Sequence, residues 1–197
     1  MSLSSCERRL CALFGAAVVG NWARLKQLRA SLPEPEVDRG LREAILQVHL
    51  FAGIPRGVEA WNVLQEAGGT GVVAPDELNP PATASGTELF ERIYARDAEA
   101  VKAHLERQHP VHAQWILQHA YGSVLSRDGL TPRMREILAC VALALTGQER
   151  QLISHIRGAV RCGAGKAELL EALECVHGLD EDGHVPMAEE QVARLSL

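Results

Sequence analysis

The chain has 197 residues, of which 47% are hydrophobic, enough to bury a core without disulfide or metal staples. A net charge of -5 and an aromatic content of 4% argue against a basic, base-stacking nucleic-acid surface, and no apolar run approaches the roughly 20 residues that span a bilayer. The five cysteines are an odd number without a Cys-x-x-Cys pair, which fits reduced thiols in a cytoplasmic protein.

In chain order, Glu7-Arg8-Arg9 precedes an apolar run from Leu10 to Val19. The run resembles a signal peptide, but Gly15 interrupts it and no small-residue cleavage site follows. It is read as a buried helix ending at Gly20-Asn21-Trp22, with Leu25 and Leu28 continuing its face. Glu34 to Phe51 carries Val37, Leu41, Ile45, Val48 and Leu50 at near-helical spacing, and Pro55 suits the first turn of the next helix. Gly68-Gly69-Thr70-Gly71, Pro75, Pro80 and Pro81 predict an exposed linker. Thr131-Pro132 predicts an N-cap and first position for a helix containing the apolar run Ile137 to Leu145. Gly147 turns the chain, the stretch from Gly163 to Gly165 ends the following helix, and Lys166 begins another. No sustained period-two alternation predicts a strand, so the expected fold class is all-α.

Two echoes suggest an internal repeat. The run ending at Gly20 resembles the run ending at Gly147, at an offset of 127. The segment Glu43-Ala44-Ile45-Leu46-Gln47-Val48-His49 resembles Glu171 to His177, at an offset of 128. The expected organisation is a first helical half over 1–67, a linker over 68–85 and a related second half over 86–197.

Glu136 and His155 lie nineteen positions apart around Gly147. Each alone has an ordinary reading: an acid in a first helical turn favours the helix dipole, and a histidine among Ile153, Ile156 and Val160 belongs to a core. Together they flank the turn at about 16 and 12 Å of helix, so the side chains can meet across an antiparallel hairpin. A buried carboxylate–imidazole pair can hold one mobile proton near neutral pH.

The stretch Tyr121-Gly122, Gly129-Leu130, Arg135-Glu136, Gly147, Leu152 and His155-Ile156-Arg157 resembles the carboxymuconolactone decarboxylase family. Phe51-Ala52-Gly53-Ile54-Pro55 looks like that family's C-terminal motif, here ahead of the Glu/His segment. The related alkyl hydroperoxidase D branch carries two cysteines where this chain has Gln148 and Gln151. Glutamine forms neither thiolate nor disulfide, so that dithiol mechanism is absent. The resemblance implies an alkyl hydroperoxidase D-like helical bundle and a cofactor-independent, decarboxylase-like lyase or proton-transfer enzyme on a small carboxylate or lactone. In that reading Glu136 and His155 are catalytic, and Phe51, Tyr121, Arg135, Gln148, Gln151 and Arg157 bind substrate. It also implies a homo-oligomer, a trimer for a tandem chain.

The other half lacks the pair, since Arg9 stands opposite Glu136 and Leu28 opposite His155. One site per chain is therefore expected, with Phe51 to Pro55 supplying a pocket wall. Two alternatives accompany this reading. One is a peroxidase acting through Cys140, four positions beyond Glu136, or through another cysteine outside a Cys-x-x-Cys pair; the other is a non-catalytic helical binding protein. His104, His109, His112 and His119 are close in sequence, but Pro110 interrupts them, and no metal site is expected. The acidic run Asp180 to His184 lacks the pattern of a calcium loop.

Overall fold

The computed structural model describes residues 2–32, 38–82 and 84–194, all of them helical, turn or irregular, with no strand. Four helices come first: α1 (Ser5–Val19), α2 (Trp22–Ala30), α3 (Arg39–Ala52) and α4 (Ile54–Glu66). After a 3-10 turn at Pro75–Leu78 follow α5 (Ser85–Tyr94), α6 (Ala98–Gln108) and α7 (Pro110–Trp115), which runs into a π-helix at Ile116–Leu125. The chain then forms α8 (Pro132–Leu145), α9 (Glu149–Arg161), α10 (Lys166–Glu174) and α11 (Val185–Ala193).

Local chemistry sets these boundaries. Ser4 and Glu7 form a reciprocal capping box at the start of α1, satisfying backbone donors that the first turn cannot. Thr131 caps α8 by accepting from the Met134 amide at 3.2 Å, and Pro132 follows it, as the sequence predicts. Gly20 ends α1 and Gly147 follows α8 with φ of 75° and 65°, left-handed values that glycine adopts without strain.

The bundle is organised around α8. Every residue from Met134 to Leu145 is buried, and α1, α3, α9, α10 and α11 all pack on it. A helix that is apolar on all sides must be surrounded, which is why Leu10 to Val19 folds as a core helix against it. One apolar core unites residues of α1 to α4 with residues of α8 to α11. A second, smaller cluster contains Leu89, Phe90, Ile93, Tyr121, Leu125 and Cys162. Among the described residues no helix is long and apolar enough to cross a membrane.

Three expectations are corrected. The helix predicted from Glu34 begins at Arg39, with Asp38 accepting from the Leu41 amide at 3.2 Å; Glu34 to Val37 fall outside the described residues. Leu25 and Leu28 belong to a separate helix, because Gly20 breaks the chain and Asn21 caps α2. The linker is exposed only in part: Arg42 is buried against it, donating to the Thr70 carbonyl at 2.7 Å and to both Glu77 oxygens. His119, on the π-helix, meets His49.

Candidate functional site

The hairpin of α8 and α9 brings the predicted pair together. His155 Nδ1 lies 2.9 Å from Glu136 Oε2. Glu136 is 1% exposed at its side chain and His155 12%. The His155 side chain thus keeps a small exposed fraction while Glu136 is covered. Burial pulls the His155 pKa down, but the Glu136 charge and hydrogen bond outweigh it and hold the imidazole above its ordinary value. With Nδ1–H donated to the carboxylate, Nε2 is free to take or give a proton.

Gly158 makes this approach possible. A Cβ on it would stand 2.5 Å from Glu136 Oε2 and 2.8 Å from Ile93 Cγ2. The glycine is one helical turn beyond His155 and lets α9 close onto both the carboxylate and α5. Arg161 fixes the same crossing by donating to the Ile93 carbonyl at 2.5 Å.

Phe51 reaches the pair from the first part of the chain. Its ring stands edge-on to His155, with centroids 6.2 Å apart at 77°, and edge-on to Phe14 at 6.5 Å. Tyr121 is buried and donates to the Tyr94 hydroxyl at 3.3 Å, beside Phe90. Burial raises the pKa of both tyrosines and the Glu136 charge raises them further, so both stay neutral.

The remaining predicted residues lie apart. Arg135 is 1% exposed and turns away from Glu136 to a buried ion pair, donating to Glu43 Oε2 at 2.8 Å and to the Arg127 carbonyl at 2.8 Å. Arg127 binds the same Glu43 at 2.9 Å, so two guanidinium groups already share that carboxylate. Consecutive helical residues point in different directions, which separates Arg135 from its neighbour. Gln148, Gln151 and Arg157 are exposed, and none hydrogen-bonds either member of the pair. Cys140 is buried; burial, then Glu136 and Cys11, push its thiol well above the usual range. Cys162 is raised to about 11, chiefly by burial. None of the five cysteines is in a disulfide.

Sequence reasoning missed Gly158, Glu43, Tyr94 and the His49–His119 contact. Only Glu43 left a trace, as the one acid in α3. Among the described residues no three His, Cys, Asp or Glu side chains converge as a metal site would require. None of five surface cavities on the described residues is lined by Glu136 or His155.

Two comparisons bear on this geometry. The model of the carboxymuconolactone decarboxylase family matches residues 110–178, the part of the chain that holds both Glu136 and His155. Peroxisomal protein 2 of Schizosaccharomyces pombe is 29% identical over 147 residues, which span 70% of this chain and 67% of that protein. The molecule is thus an all-α helical bundle with a carboxymuconolactone decarboxylase-like segment.

Proposed function

We propose that the chain is a cofactor-independent proton-transfer enzyme of the decarboxylase-like lyase type, acting on a small carboxylate or lactone. The observation that carries this is the 2.9 Å contact of a buried Glu136 with His155, whose side chain stays 12% exposed. The family match over residues 110–178 supports it. In the reaction class, loss of carbon dioxide breaks a carbon–carbon bond and leaves its electron pair in the conjugated lactone carbonyl. The carbanion then takes a proton at carbon. His155 Nε2 supplies that proton and regains one from solvent, while Glu136 orients the ring and stabilises its charged form. Phe51 forms the apolar wall against the imidazole.

In this reading the chain is a tandem of related halves, 1–67 and 86–197, joined by 68–85, with one site assembled from both. Support comes from the shared core and from the parallel designs of α1–Gly20–α2 and α8–Gly147–α9. Exposed Ile54, Val58, Val111 and Trp115 are in keeping with a homo-oligomer, for which we favour a trimer. We place the protein in the cytoplasm on its odd number of cysteines without a Cys-x-x-Cys pair. The name of the yeast relative raises the peroxisome as the compartment that a fluorescent fusion should test first.

The deciding experiment offers unsaturated lactone carboxylates to the wild type and to His155→Gln and follows carbon dioxide release. Turnover that falls by about 10²-fold or more in the variant supports the reading; equal turnover in both overturns it. A second reading is a non-catalytic binding protein. It requires a ligand that stabilises both proteins with no turnover in either. The peroxidase alternative is weakened by the burial of Cys140, whose raised pKa disfavours a thiolate.

A further inference from the structure

The last turn of α3 holds three consecutive side chains with three different partners. His49 Nε2 lies 2.7 Å from His119 Nε2 on the π-helix. Leu50 packs on the cluster that contains Tyr121, and Phe51 stands over His155. The turn ends at Gly53, whose φ of 85° breaks the helix. The contact between two imidazoles thus adds a polar tie to the packing of the segment that carries the wall of the Glu136–His155 site.

The proton positions in this contact follow from its surroundings. His49 Nδ1 is 2.5 Å from the Leu46 carbonyl, an oxygen that accepts and cannot donate. Nδ1 therefore carries the hydrogen, and His49 Nε2 is a lone pair. His119 Nε2 must then supply the hydrogen that bridges the rings. A proton added to His49 can go only to Nε2, where it meets the hydrogen already bridging the rings, and the rings repel.

We propose that the His49–His119 pair is a proton-operated latch, closed near neutral pH and opened by acid, that holds Phe51 over His155. Its regulatory meaning rests on the reading of Glu136–His155 as the reactive pair; the latch itself does not. Burial lowers the His49 pKa from its ordinary value; the Leu46 hydrogen bond opposes this and the His119 charge adds to it, and the net lowering puts opening on the acid side. His119 is the one charge that bears on His49. From α4, His49 meets Gly57, which has no side chain to titrate. On α8, Arg135 is turned to Glu43 and Glu136 to His155, and Arg127, beyond the π-helix, is also turned to Glu43. His119 is exposed, so protons reach the latch from solvent. The π-helix is what aims it, since a ten-residue π segment is rare and sets side chains where an α-helix would not.

The test compares the wild type with His119→Gln, whose amide can still donate to His49 but cannot be protonated in this range. Amide hydrogen exchange of the segment around residues 47–57, corrected for intrinsic rates, is followed from about pH 8 to about pH 5. Loss of one such hydrogen bond is expected to speed exchange about fivefold in the wild type on acidification, with no such rise in the variant. Carbethoxylation of His155, corrected for its neutral fraction, is expected to rise in parallel. An equal acid response in both proteins overturns the proposal. So does exchange that changes while His155 labelling does not, because the latch then controls no access. Wild-type exchange that responds to a chelator at constant pH also overturns it, since a shared cation would then replace the shared proton. None of these readouts needs a substrate, so failure of the latch and failure of the proposed chemistry are seen separately.

Discussion

Replacing Glu43 with alanine leaves two guanidinium groups facing a hole. Glu43 is fully buried, Arg135 is 1% exposed and Arg127 15% exposed at their side chains. Arg127 keeps the Glu77 carbonyl at 2.6 Å and has a route to water. Arg135 has neither water nor a second carboxylate, and its Nε is already without a partner. Breaking a buried pair by removing one member costs about 3–5 kcal/mol. For a protein of this size that lowers the melting temperature by roughly 6 to 20 °C. Urea denaturation of Glu43→Ala with linear extrapolation measures the loss directly. The double variant Glu43→Leu with Arg135→Met removes both charges and fills the space, and is expected to recover most of the stability. A loss below about 1 kcal/mol, as surface pairs give, would refute the assignment of Arg135 to structure and return it to the pool of substrate-binding groups.

Other outcomes follow from the same contacts. Gly158→Ala forces a methyl group against Glu136 and Ile93, and should cost about 1–3 kcal/mol while displacing the carboxylate from His155; a melting curve and the His155 chemical shift check both effects. Leu138→Ala, at the fully buried centre of α8, should cost about 2–5 kcal/mol in urea denaturation. Native-state titration with a thiol reagent should leave Cys11 and Cys140 unreacted until the protein unfolds, and Cys140→Ser should leave any peroxide reduction unchanged. Stability should also depend on pH through His155. Its folded pKa lies above the unfolded value, so the ion pair with Glu136 stabilises fully below about pH 6.5 and fades as pH rises through the raised value. The cost of His155→Gln is therefore expected to be larger at about pH 6 than at about pH 9.

What could be read from the sequence was local or periodic. Thr131-Pro132 marked the start of α8 because capping depends on adjacent residues, and Gly147 marked the turn because a left-handed φ needs glycine. With both fixed, helical rise alone brought Glu136 and His155 within reach, and the structure closes them to 2.9 Å. The residues that adjust the site were not legible, because their partners are distant in the chain. Gly158 owes its identity to Glu136 and to Ile93, 65 positions earlier, and His49 meets His119, 70 positions later. The family resemblance makes Arg135 a substrate ligand, yet its partner is Glu43, 92 positions away. The π-helix left no periodic signal, and it decides where His119 and Tyr121 point.

The most direct test of the proton-transfer pair is the titration of His155 by nuclear magnetic resonance in the wild type and in Glu136→Gln. His155 is expected to titrate above the ordinary value of about 6.5 in the wild type, and to fall below it in the variant, where burial acts without the opposing charge. A His155 that titrates at or below the ordinary value in the wild type, and does not move in Glu136→Gln, would contradict the pair on which the proposed chemistry depends.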